Sequence, residues 1–118
     1  MDESTWMEMS AQNSTRQSWS QLTYFISVFA LTATIVFGEA GDYALLLTVA
    51  AVGVGLFGIL SFDAAQQGWM QMAESMPDSI ASTAVGKAAS QTGQYNFYRA
   101  TNAVATAIIS AAQIIAIN

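Results

Sequence analysis

The two carboxylates spaced to share a cation are Glu39 and Asp42, three residues apart in the short stretch Gly38-Glu39-Ala40-Gly41-Asp42. A divalent cation asks for six or more oxygen ligands held rigidly, and two carboxylates in a turn do not supply them. The expected role of this pair is a solvated turn. The remaining acids, Asp63, Glu74 and Asp78 among them, fall where helix ends are expected, and capping is the ordinary use of a carboxylate there. Gly86-Lys87 suggests a phosphate-binding loop, but the glycine needed five positions earlier is Ala81, and Ala88 replaces the required hydroxyl. The chain has no histidine and no cysteine. The commonest general base is therefore missing, and thiolate metal sites and disulfides are excluded. We expect no catalytic residue, no metal and no cofactor.

One further polar set stands out. Asn102, Thr106, Ser110 and Gln113 recur at i, i+4, i+8 and i+11 inside a charge-free block, a single stripe down one helix face. In an oligomer such a stripe could line a polar pore; its plainer use is hydrogen bonding between helices. No span contains an ionisable residue, so a proton relay or charged transport site is not expected.

The elements that must position these residues follow from an unusual composition. Of 118 residues 53% are apolar and only 9% are charged, against about 25% charged in ordinary soluble domains. A soluble domain of this size needs charge to cover its surface; the natural solvent here is lipid or another protein. The net charge of −5 offers no basic patch for nucleic acid. Residues 1–16 carry three acids and one base, unlike a cleavable signal peptide, so the first apolar block is expected to act as an uncleaved signal.

The expected fold class is all-α and integral to the membrane: a transmembrane helical hairpin over residues 17–62 plus a third membrane or interfacial helix. The first block, Gln17 to Gly38, is charge-free over 22 residues and spans about 33 Å as a helix. Thr23, Ser27, Ala30 and Thr34 draw a stripe of small residues along it, while Phe25, Phe29, Ile26, Val36 and Phe37 suit lipid. The second block, Tyr43 to Phe62, repeats the design with Ala44, Thr48, Ala51, Gly55 and Gly58. Small residues at this spacing let helix backbones approach and gain van der Waals contact, the main drive for association in lipid. The two stripes are therefore expected to face each other.

Three further segments complete the chain. Residues 1–16 read as a polar tail or a short interfacial helix, with Trp6 and Met9 on one face and Asn13-Ser14-Thr15 a chance-level glycosylation motif. Residues 63–98 read as connecting helices: an extension of the second block ended by Pro77, then a helix from Ile80 to Gln91 capped by Asp78 or Ser79. Residues 99–118 form the last apolar helix, whose hydrophobes Val104, Ile108 and Ile115 lie opposite the polar stripe. Trp19, Tyr24, Trp69, Tyr95, Tyr98 and Arg99 are expected as interfacial anchors. All three bases, Arg16, Lys87 and Arg99, lie on one side of the hairpin; the positive-inside rule places that side, with the N-terminus, in the cytoplasm and the turn 38–42 opposite.

These readings point to a non-catalytic structural or accessory subunit packing into a larger membrane protein assembly, its partners being lipid and other subunits or copies of itself. A self-assembling membrane protein (a virion coat or membrane protein, or a pilus-type subunit) is the first alternative, and a holin-like pore former the second.

Overall fold

The computed structural model describes the backbone from Met1 to Asn118 and every side chain except that of Thr92. Three long helices dominate it: α1 (Glu3–Phe37), α2 (Ala44–Glu74) and α5 (Thr92–Ile117). A 3-10 turn (Ala40–Tyr43) joins α1 to α2, and the short α3 (Asp78–Ala81) and α4 (Ala84–Ala89) connect α2 to α5. No strand occurs among the described residues.

Helix α1 starts where the sequence offers a cap. Asp2 accepts a bond from the Thr5 amide at 2.7 Å, and Glu3 adds negative charge to the positive end of the dipole. The helix runs unbroken through residue 16, so the expected polar tail is the first four turns of the first apolar helix. It stops at Gly38, whose N–H bonds Thr34 O at 2.9 Å. A Cβ at Gly38 would lie 2.6 Å from that same oxygen, so the position takes no side chain.

Helix α2 continues past the apolar block to Glu74 and ends before Pro77, as proline requires of its predecessors. Near a helix C-terminus carbonyls lose their intrahelical partners. The Met72 carbonyl instead accepts from the Trp6 indole N–H at 2.8 Å. Trp6 is thus buried against the end of α2, while Met9, expected on the same face, remains exposed.

The expected single helix from Ile80 to Gln91 is broken in two. Thr83 Oγ1 donates to Ile80 O at 2.6 Å and accepts from the Gly86 amide at 3.0 Å, so its hydroxyl competes with the backbone ladder and caps α4. Gly86 packs directly on the Ile80 carbonyl, and a side chain there would collide with it. Neither Asp78 nor Ser79 caps α3: its N-cap is Pro77, and the Ser79 hydroxyl donates to Glu3 at 2.9 Å.

The three long helices alternate in direction, and the whole measures 59 × 23 × 18 Å. Helix α2 is central, with α1 and α5 packed along it and touching each other little. Toward the turn end, Leu31, Leu47, Ala51 and Ile117 form one buried cluster; toward the middle, Tyr24, Val28 and Phe62 form another. Large apolar side chains such as Phe29, Phe37, Leu45, Leu60, Ile108 and Ile115 point outward, while Gln66, Thr106 and Gln113 are buried. Soluble monomers rarely expose apolar surface on this scale. Three helices are long and apolar enough to cross a membrane.

Candidate functional site

The surfaces where the three helices meet carry the small-residue stripe of α2 and the polar stripe of α5, but not the small-residue stripe of α1. On α2, Ala51, Gly55 and Gly58 are buried and Ala44 and Thr48 half-buried. Their neighbours come mainly from α5. Ser110 Oγ donates to Ala51 O at 3.1 Å and occupies the space over Gly55, whose Cβ would stand 3.1 Å from Ser110 Cβ and overlap its hydroxyl. Over Gly58 lie the Tyr24 ring and the Thr106 methyl; a Cβ there would come within 2.7 Å of Tyr24 Cε2 and 3.1 Å of Thr106 Cγ2. Thr48 Oγ1 accepts from Asn118 Nδ2 at 3.2 Å.

The small residues of α1 are placed differently from expectation. Thr23, Ala30 and Thr34 are exposed and Ser27 is half-buried, so the two small-residue stripes do not meet. The inner face of α1 is instead Tyr24, Val28, Leu31 and Ile35, one position round the helix. Two physical reasons account for this. The hydroxyls of Ser27 and Thr34 are satisfied on their own helix, donating to Thr23 O at 2.8 Å and Ala30 O at 2.9 Å, and need no partner helix. The glycines of α2 also accept a ring: Tyr24 fills the space at Gly58 and meets Phe62 edge-to-face at 5.2 Å between centroids. A signal for this face was available. Trp6, Asn13, Gln17, Tyr24, Val28, Leu31 and Ile35 keep one face by steps of three, four and seven.

On α5 the polar stripe turns toward the other two helices. Thr106 and Gln113 are buried, and Asn102 and Ser110 half-buried. Gln113 Nε2 donates to Thr32 Oγ1 at 3.1 Å and lies 3.5 Å from Val28 O, a direct tie from α5 to α1. Two atoms in this region, Tyr24 Oη and Gln113 Oε1, are buried without a hydrogen-bond partner in the chain. The apolar face of Val104, Ile108 and Ile115 is exposed.

The expected anchors divide. Trp19 and Tyr98 are exposed. Trp69 is half-buried and donates from its indole to Gln17 Oε1 at 2.7 Å. Tyr95 is buried with its hydroxyl on Ala89 O at 2.8 Å. Tyr24, only 2% exposed, belongs to the core and not to an interfacial belt. Arg99 pairs with Asp63, Nε to Oδ1 at 2.5 Å and Nη2 to Oδ2 at 3.3 Å. Asp63, expected from the sequence to cap a helix end, is thus an ion-pair partner instead, and that partner lies 36 residues away.

The guanidinium hydrogen bond, aided by Gln67, holds the Asp63 carboxyl below the ordinary carboxylate range despite partial burial. A depressed folded-state pKa contributes stability that is complete above the unfolded value and lost as pH falls through the folded one. Asp2, lowered by its bonds to Thr5, acts in the same direction. We expect the unfolding temperature in mild detergent to fall below about pH 4. Asp63→Asn should lower Tm by roughly 2–5 °C at pH 7, as suits a partly exposed pair, and flatten the acid limb. An acid limb unchanged in Asp63→Asn would assign it to other carboxylates.

Glu39 and Asp42 are exposed on the turn, and among the described residues no three acidic side chains converge. The arrangement is that of an all-helical chain with three helices of membrane-crossing length, polar groups turned in and apolar groups turned out. Comparison with protein-family models, curated proteins and solved structures finds no match.

Proposed function

We propose that the chain spans the membrane three times and serves as a non-catalytic structural or accessory subunit of a larger membrane protein assembly. With Arg16, Lys87 and Arg99 at one end, the N-terminus and residues 63–98 face the cytoplasm, and the turn 38–42 and Asn118 the opposite side. The observation that carries the assembly reading is the outward face of α1. Thr23, Ala30 and Thr34 form a shallow small-residue groove that the chain's own helices leave uncovered. Lipid gains nothing from such a groove, whereas a second helix gains close backbone contact.

The test is gentle solubilisation followed by native gels and crosslinking. Ala30→Leu, which fills the groove without touching the inner face, should weaken assembly about fivefold, taking a lost close contact as ~1 kcal/mol. The Tm of the single chain should not move. Recovery of a monodisperse monomer with no crosslinked partner would defeat the proposal. A ladder of one subunit would favour the self-assembling alternative, since the α1 groove can also receive its own copy. The pore-forming alternative is weakened because α5 spends its polar stripe on α1 and α2 of the same chain; dye leakage from loaded liposomes would revive it.

A further inference from the structure

We infer that the cleft between the first turns of α1 and the far end of α2 binds the phosphate of a phospholipid headgroup; this rests on the membrane reading above. The cleft has a volume of about 390 Å³, with Met9, Asn13 and Arg16 on one wall and Gly68, Gln71 and Met72 on the other. Its depth suits the role. Arg16 stands one residue outside the apolar block that begins at Gln17, and Met9 lies seven residues further out, about 10 Å of helix. The polar layer of each leaflet is roughly 5–8 Å thick, so the inner half of the cleft falls within it. Trp19, exposed just inside, marks the boundary.

The donors in the cleft lack an acceptor. Arg16 makes no ion pair among the described residues; its one bond is from Nη2 to Asn13 Oδ1 at 3.3 Å. Asn13 Nδ2 is buried and has no partner in the chain. Gly68 is what lets this amide sit so close to α2, since a Cβ there would lie 2.7 Å from Asn13 Oδ1. Leaving a donor unpaired is costly, which favours an acceptor here once the half-buried Asn13 side chain turns its amide toward the cleft. A guanidinium beside it selects an anionic acceptor, and its planar fork matches phosphate oxygens. Glu8 lines the adjoining depression with Arg16 but forms no ion pair with it. Met9 and Met72 line the outer part of the cleft, while the glycerol and first acyl carbons, which lie inward of a phosphate held at Arg16, meet the apolar surface of the exposed Trp19. Free phosphate would use the same donors and leave that surface unused.

Native mass spectrometry of the full chain in mild detergent tests this with three probes: phosphatidylglycerol, diacylglycerol of the same acyl chains, and inorganic phosphate. One phosphatidylglycerol should be retained per chain, at least about tenfold better than diacylglycerol. Arg16→Gln should reduce its retention about tenfold, as should Asn13→Asp, which gives the guanidinium an internal partner. Lys87→Gln, outside the cleft, should not. Equal retention of the two lipids, or an Arg16→Gln chain that binds like the unaltered one, overturns the site. So does a Lys87→Gln loss equal to that of Arg16→Gln. Displacement by inorganic phosphate with the same Arg16 dependence, and no preference for lipid, overturns the lipid source. Alkaline extraction of membranes separates the two readings. A chain released by alkali that still binds phosphatidylglycerol through Arg16 defeats the membrane reading alone. A chain that stays in the membrane but binds without Arg16 defeats the site alone.

Discussion

Tyr24→Ala should destabilise the helix bundle by about 3 kcal/mol, the low end for deleting a buried aromatic. With the chain in the membrane as proposed, the low end applies, because lipid removes much of the transfer penalty and leaves the lost contacts and the cavity. Tyr24 is the point where α1 and α2 interlock and α5 joins them. Its ring covers Gly58, meets Phe62, and shares the Gly58 surface with Thr106. Thermal unfolding in mild detergent, monitored by the loss of helical circular dichroism, reads the effect. Tyr24→Phe is the control that gives the result meaning. The phenolic oxygen is buried without a partner in the chain, so removing it relieves a desolvated group, and we expect no loss of stability. If Tyr24→Phe is as damaging as Tyr24→Ala, the hydroxyl and not the ring is what the bundle depends on, and the packing account fails.

Gly55→Leu should have an effect of similar size for the opposite reason. Even a Cβ at this position overlaps Ser110, and a leucine must push α5 away from the α2 backbone, which breaks the Ser110–Ala51 bond as well. Overpacking costs about 1–3 kcal/mol, and the lost hydrogen bond adds about 0.6 kcal/mol. The sharper readout is a cysteine crosslink between α2 and α5, which should fall while membrane insertion stays intact. Gly55→Ala combined with Ser110→Gly should recover most of the stability lost in Gly55→Ala alone, because the second change vacates the atoms the new methyl would meet. Failure of that rescue would place the strain elsewhere on α2. On sequence grounds the same substitution would have been aimed at the contact between α1 and α2; the structure redirects it to α5.

Several features were legible from residues alone, each through a local property. The charge-free blocks from Gln17 and from Tyr43, and the short turn from Gly38 to Asp42 between them, follow from composition. The inward turn of Asn102, Thr106, Ser110 and Gln113 follows from one polar stripe opposing one apolar stripe, which leaves a packed helix little choice. The continuation of α1 through residues 3–16 was harder to see. That stretch is polar, and its helix is held by tertiary contacts, the Trp6 indole on Met72 O and Ser79 on Glu3, whose partners lie 66 and 76 residues away. The Thr83 break is local, its hydroxyl bonding Ile80 O and the Gly86 amide, but a threonine inside a helical pattern does not by itself announce a break.

By itself, then, the sequence determined three apolar helices, the antiparallel run of the first two and the polar stripe of the last, because length, hydrophobicity and a 3.6-residue period are properties of each segment alone. Only the tertiary structure decided which face of α1 turns inward. Thr23, Ala30 and Thr34 are as small as the residues opposite them, and in lipid no hydrophobic drive chooses between faces. The choice fell to shape: a tyrosine ring fits over Gly58, and the hydroxyl of α5 fits over Gly55. Complementarity of that kind exists between helices and is written in none of them singly.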